Sequence, residues 1–197
     1  MPEIILVRHA ATPWSGIRYC GRSDPPLSEA GQAQAARLGA TLGPALPADA
    51  VVISSPSLRA WATAETIAAA AGLGTVEVDE RWREAHVGVA EGRTFDELAA
   101  IAPELAAALA AGALEIDWPD GETHRSLAQR VGAAWDALLD RGRSAVVVSH
   151  AGPLAHALAI AYRRAIQADD LLAPAGYARV HIDPIGRIGS TVLPSRS

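Results

Sequence analysis

Ile4-Ile5-Leu6-Val7-Arg8-His9-Ala10 is an apolar run that ends abruptly in an arginine and a histidine. Four branched aliphatic residues in a row, too few for a helix and flanked by Pro2 and Pro13, predict a buried strand of a parallel sheet. The polar pair then falls at the carboxyl end of that strand. In open α/β sheets this edge is where ligands bind, because the loops leaving the strands form a crevice there. Ala145-Val146-Val147-Val148-Ser149-His150 repeats the pattern, an aliphatic strand delivering a histidine at its exit. Two strands are therefore expected to point imidazoles at one crevice.

Working outward, residues 11–26 form a loop rich in Gly, Pro and Ser, long enough to suggest function rather than mere connection. It carries Arg18 and Arg22, glycines that let a ligand approach the backbone, and hydroxyl donors. Ser28 reads as an N-cap for a helix over 29–42, stopped by Gly43-Pro44. A short strand at 51–53 follows. Ser55 as N-cap with Pro56 at the first helical position predicts a helix to about Ala71, ended by Gly72 and holding Arg59 in its first turn. A third strand at 76–78 leads into Arg81-Trp82-Arg83-Glu84-Ala85-His86.

From Glu91 to Gly121 a helical pattern is interrupted by Pro103, Gly112 and Pro119, which predicts an excursion of short helices over the crevice mouth. Thr123 caps a helix to about Arg141 with Leu127, Val131, Ala134, Trp135 and Leu138 on one face. After the second histidine strand, Pro153 is expected to open a helix through Tyr162. Strands at 178–182 and 187–192 are expected to be joined by a turn at 183–186. Trp61 and Trp135 read as core, Trp14 as facing a ligand.

Length suits a single domain spanning residues 1–197, able to bury a full core. Cys20 is the only cysteine, which excludes an internal disulfide and a thiolate metal cluster. All 17 positive charges are arginines, so Schiff-base chemistry and a lysine-bearing phosphate loop are excluded and arginine is the one strong anion clamp. A net charge of −5 argues against nucleic acid as a partner. No apolar run approaches the roughly 20 residues of a membrane span, and no leader pattern precedes the first strand. A soluble cytoplasmic protein is expected, with no membrane partner and a homodimer as the candidate assembly.

If Arg8, His9, Arg59 and His150 meet in the crevice with Glu84 at its rim, the natural guest is a phosphoryl group, whose tetrahedral oxygens match forked guanidinium donors. A neutral histidine can attack phosphorus and carry the phosphoryl covalently. Glu84 is the best-placed acid for the leaving oxygen if burial or nearby phosphate raises its pKa.

These residues also carry a resemblance. Leu6-Val7-Arg8-His9-Ala10, the segment from Ser54 to Glu65, Arg83-Glu84 with Glu91-Gly92, and Ser149-His150 together resemble the histidine phosphatase superfamily, the phosphoglycerate mutase-like fold. The stretch from Gly21 to Ser28 is similar to this family's small phosphatases, including alpha-ribazole phosphatases. The resemblance implies a three-layer α/β/α sandwich with a mostly parallel central sheet. It implies His9 as nucleophile, Glu84 as proton donor, and Arg8, Arg59 and His150 around the phosphate, with no metal or other cofactor. Ser15, Cys20, Gly21 and Ala151 complete the candidate phosphate-binding set, and the partner implied is a small phosphorylated metabolite.

The chain departs from the family pattern at Ala10 and Ala151, where glycine usually follows each histidine, and at Ser15, where asparagine is frequent. Alanine would be costly at a positive φ and harmless otherwise. Phosphatase is expected over mutase, since residues 85–121 supply only Arg93 as a permanent positive charge. A non-catalytic phospho-ligand module and a metal-dependent hydrolase built on the six histidines are the competing readings. His86, His124, His156 and His181 show no ligand spacing and read as ordinary residues, although His124 and Arg125 stand where they could reach a substrate. Cys20 reads as a small loop residue, at most modestly reactive beside two arginines.

Overall fold

Successive side chains on a strand point to opposite faces, so an unbroken aliphatic strand must be covered on both sides. The computed structural model, which describes residues 2–182 and 188–192, shows this in β1 (Glu3–Arg8) and β4 (Ala145–Ser149). Ile4, Leu6, Ala145 and Val147 enter one core, together with Leu127, Val131 and Trp135 of α5 (His124–Asp140) and Leu154 and Leu158 of α6 (Ala151–Tyr162). Ile5, Val7, Val146 and Val148 enter another, with Leu38 and Leu42 of α1 (Glu29–Leu42) and Ala64 and Ile67 of α2 (Leu58–Ala71). Each such buried Leu, Ile or Val contributes about 1.5–3 kcal/mol relative to exposure. The outcome is a three-layer α/β/α sandwich.

The sheet order is β3-β2-β4-β1-β5-β6, with β2 (Val51–Ser54), β3 (Glu77–Val78), β5 (Tyr177–Ile182) and β6 (Ile188–Val192). β1, β2, β3 and β4 are parallel, while β5 pairs antiparallel with β1 and β6 antiparallel with β5. The chain leaves β1 towards α1 on one face and leaves its neighbour β4 towards α6 on the other. Diverging exits from adjacent parallel strands open the crevice between them. Among the described residues no helix is long and apolar enough to cross a membrane.

Helix boundaries follow the capping signals closely in α1, where Ser28 accepts from the Gly31 N–H, and in α5, where Thr123 accepts from the Ser126 N–H. Two starts differ from expectation. α2 begins at Leu58 rather than Pro56: the Ser55 hydroxyl accepts from His150 at 2.8 Å and only at 3.3 Å from the Ser57 N–H, while the Leu58 N–H is capped by the Asp24 carboxylate at 2.8 and 3.0 Å. α6 begins at Ala151, so Pro153 is the third helical residue, a position whose missing N–H has no intrahelical acceptor in any case.

Trp61 is also corrected. It is exposed, since α2 buries the face carrying Ala60, Thr63, Ala64 and Ile67. Trp135 is buried as expected. The interrupted stretch after Glu91 forms α3 (Phe95–Ile101), with a Thr94/Glu97 capping box, and α4 (Pro103–Ala110). The turn expected at 183–186 lies outside the described residues.

Candidate active site

The register of the sheet assembles the site. Arg8 of β1 pairs with Ser149 of β4, and the ladder continues one step, with the His9 N–H donating to the Ser149 carbonyl at 2.9 Å. His9 and His150 are therefore neighbours at the strand exits, ring centroids 5.0 Å apart in an edge arrangement. On the other side of β4 the Ser55 N–H donates to Val148 O, which brings the Ser55 hydroxyl level with His150.

Hydrogen bonds settle the ring states. His9 Nδ1 lies 2.8 Å from the Ala10 carbonyl, which can only accept, so Nδ1 carries the proton and Nε2 the lone pair. Burial, then the adjacent Arg59 and Arg8 charges, lower its pKa from 6.5 to about 3. His150 has no exposed surface. Its Nδ1 accepts from Arg59 Nη2 at 3.1 Å, leaving Nε2–H to donate to Ser55 Oγ at 2.8 Å. Burial and then Arg59 hold its pKa well below the usual imidazole value. Both histidines are neutral bases at physiological pH.

Arg59 is fully buried, yet every nitrogen of its guanidinium is partnered. Nη1 donates to Ser23 O at 2.7 Å, Nη2 to Gly21 O at 2.9 Å, and Nε reaches His9 Nε2 at 3.3 Å. The last is long for a hydrogen bond and is the one most readily given up to an incoming anion. The loop supplying those carbonyls is itself tied down: Glu91 accepts from both the Ser23 N–H and hydroxyl, and Asp24 caps α2. Gly21 adopts φ +47°, and a β-carbon there would stand 2.2 Å from Glu91 Oε2, so only glycine fits. Arg8 donates from Nη1 to Leu172 O at 2.7 Å, whereas its buried Nε has no partner among the described residues.

Glu84 is positioned by a stapled segment. Trp82 is completely buried, its carbonyl accepts from Ser149 Oγ at 2.6 Å, and Arg130 holds the carbonyls of Arg81 and Arg83 at 2.7 and 2.6 Å. The Glu84 carboxyl accepts from the Ala85 N–H at 2.9 Å, and burial raises its pKa against the opposing pull of that bond, Arg59 and Arg8. Gly152 leaves the space it occupies: a β-carbon there would lie 2.8 Å from Glu84 Oε1.

These groups border a cavity of about 320 Å³. Arg8, His9, Arg59 and Glu84 face it, as do Ser15, Cys20, Gly21 and Ala151. His150 does not; it stands behind Arg59. Ser15 Oγ accepts from the Thr12 N–H at 2.9 Å. The Cys20 thiol donates to Ser23 O, and burial pushes its pKa up despite Arg59. Ala10 and Ala151 are not among the positive-φ residues, which removes the cost of replacing glycine there. Trp14 and His124 border the cavity, whereas Arg125 is exposed and does not. His156, expected to be ordinary, is 7% exposed and on the cavity wall.

Sequence reasoning missed Thr63, which accepts from the Ala10 N–H at 3.1 Å, and the bracing roles of Ser55, Asp24 and Arg130. Ser55 and Thr63 lie in the segment that carries the resemblance, but nothing in their spacing tells which strand exit they meet.

An α/β sandwich with paired neutral imidazoles and two guanidiniums at its switch point defines a protein built to receive an anion. Comparison with known proteins agrees. The profile of the histidine phosphatase superfamily (branch 1) matches residues 4–186. Phosphoglycerate mutase-like protein 4 of Arabidopsis thaliana is 35% identical over 154 residues, 76% of this chain and 66% of that protein. This chain therefore spans just under two thirds of that relative's length. Among solved structures, Bacillus stearothermophilus YhfR superposes with TM-score 0.84 at 26% identity, covering 96% of this chain and 95% of that one. The mycobacterial glucosyl-3-phosphoglycerate phosphatase Rv2419c superposes with TM-score 0.81, also at 26% identity, covering 98% of each. The chain belongs to the histidine phosphatase superfamily and is an enzyme of that family.

Proposed function

We propose that the protein hydrolyses the phosphomonoester of a small metabolite through a phosphohistidine on His9, without a metal ion. The observation that carries this reading is the His9 tautomer: with Nδ1–H held by Ala10 O, the Nε2 lone pair is left at the cavity between Arg8 and Arg59. The buried Nε of Arg8 has no acceptor among the described residues, and the first N–H groups of α6, at Ala151 and Gly152, have none within the helix. All of them suit a phosphoryl oxygen.

His9 Nε2 attacks phosphorus as the P–O bond to the alcohol breaks, and protonated Glu84 gives its proton to the departing oxygen. Arg8 and Arg59 stabilise the equatorial oxygens, a role that goes to metal and lysine in other phosphoryl-transfer sites. His150 acts by fixing Arg59. Water then attacks the phosphohistidine, the P–N bond breaks, and the Glu84 carboxylate accepts the proton released. The unpaired Cys20 suits a reducing, cytoplasmic setting.

Hydrolysis of 4-nitrophenyl phosphate with and without a chelator tests the reading. Turnover that ignores the chelator is expected. Loss of activity on chelation favours the metal-dependent hydrolase, and binding of inorganic phosphate with no turnover favours the non-catalytic module.

A further inference from the structure

The cavity is larger than a phosphoryl group requires, and its wall includes an apolar group, Leu109, Leu114, Ile116, Trp118 and Leu127, beside Arg18, Tyr19 and His124. His156 interrupts that wall. Its Nδ1 lies 3.0 Å from the Gly152 carbonyl, which only accepts, so Nδ1 donates and Nε2 holds the lone pair. That Nε2 is buried and has no partner among the described residues. Burial lowers the pKa of the ring, and the titratable and charged groups that act on it are Glu115 of the mouth segment and His124 and Arg130 of α5. A buried acceptor without a donor is unfavourable, and a ligand donor would relieve it.

The place of His156 relative to Glu84 gives this acceptor a meaning. Gly152 packs against the Glu84 carboxyl, and His156 follows four residues later, about 6 Å along α6. The atom Glu84 protonates is the leaving oxygen, so the body of the alcohol extends into the chamber that His156 borders.

We propose that this chamber is a leaving-group subsite in which His156 Nε2 accepts a hydrogen bond from a hydroxyl or N–H on an otherwise apolar, ring-sized alcohol or phenol. Phosphomonoesters of that class are selected over those whose leaving group offers His156 no hydrogen-bond donor. The assignment rests on the phosphatase reading for the direction in which the ester enters.

The test compares 1-naphthyl phosphate with a set of hydroxynaphthyl phosphates that differ in hydroxyl position, on wild type, His156→Phe and His156→Gln. At least one isomer should exceed 1-naphthyl phosphate roughly 5- to 20-fold in kcat/KM, the scale of one hydrogen bond to a buried acceptor. The ratio should fall to near one in His156→Phe and persist in His156→Gln, which keeps an acceptor oxygen. An absence of preference in the wild type, or a preference that survives in His156→Phe, overturns the subsite. Should no ester be hydrolysed, the phosphatase reading fails by itself, and the same ratios read as Kd by calorimetry still decide the subsite.

Discussion

His9 Nδ1 and the Ala10 carbonyl stand 2.8 Å apart, in a bond where the ring can only donate. The alanine that replaces the family's usual glycine thus holds His9 in one tautomer through its backbone, a task that does not depend on its side chain. Phosphate should therefore be found on Nε2 and not Nδ1, as an acid-labile, base-stable adduct resolved by phosphorus NMR of protein trapped during turnover. His9→Ala should abolish turnover while the fold survives. Full activity in that variant would remove His9 from the mechanism.

Arg59 joins the exits of three strands to the loop at residues 21–24, so its loss removes the cationic contact proposed for the phosphoryl group and also frees the carbonyls of Gly21 and Ser23. Arg59→Ala should lower kcat/KM by roughly two orders of magnitude or more, the scale of one lost transition-state donor. Arg59→Lys should rescue little, because an ammonium cannot span two carbonyls and a histidine at once. Steady-state kinetics on 4-nitrophenyl phosphate reads both.

For Glu84 the pKa is raised in the folded protein. Its native state holds the proton more tightly than the unfolded chain does. The stabilising contribution is therefore present below the unfolded value of 4.5 and is lost as pH rises through the folded pKa. Glu84→Gln, which cannot ionise, should melt at a higher temperature than wild type at neutral pH, with the difference vanishing in acid. The same variant should lose far more activity on alkyl phosphates than on 4-nitrophenyl phosphate, whose phenolate leaves without a proton. Equal losses on both esters would exclude Glu84 as the acid.

A mutase must retain both the phosphoenzyme and the dephosphorylated acid while excluding water, which needs a closed site and cationic contacts to the carboxylate. Arg18 does border the cavity, but it is paired with Glu97 at 2.9 Å, and neither Arg22 nor Arg125 is on the wall. Release of inorganic phosphate should greatly exceed interconversion of 2- and 3-phosphoglycerate when both are followed in one reaction. The reverse ratio would mean that Arg18 exchanges Glu97 for the substrate carboxylate.

The sequence by itself determined the layers and the strand exits. Uninterrupted aliphatic runs at 4–7 and 145–148 need cover on both faces, which forces helices onto both sides of a parallel sheet, and the polar residues that end those runs must emerge at one edge. It also determined where capped helices begin, as at Ser28 and Thr123, because an N-cap acts on N–H groups only two or three residues away. Where the capping group came from elsewhere in the chain, as Asp24 does for α2, the local signal misled by two residues. Tertiary structure alone decided which groups border the cavity and which hold those that do. Only the pairing of Arg8 with Ser149 brings His9 beside His150, and only the depth of β4 puts His150 behind Arg59 rather than on the cavity wall. The orphaned Nε2 of His156 was invisible for the same reason: an unsatisfied acceptor is a property of what surrounds an atom in space, and no spacing along the chain records it.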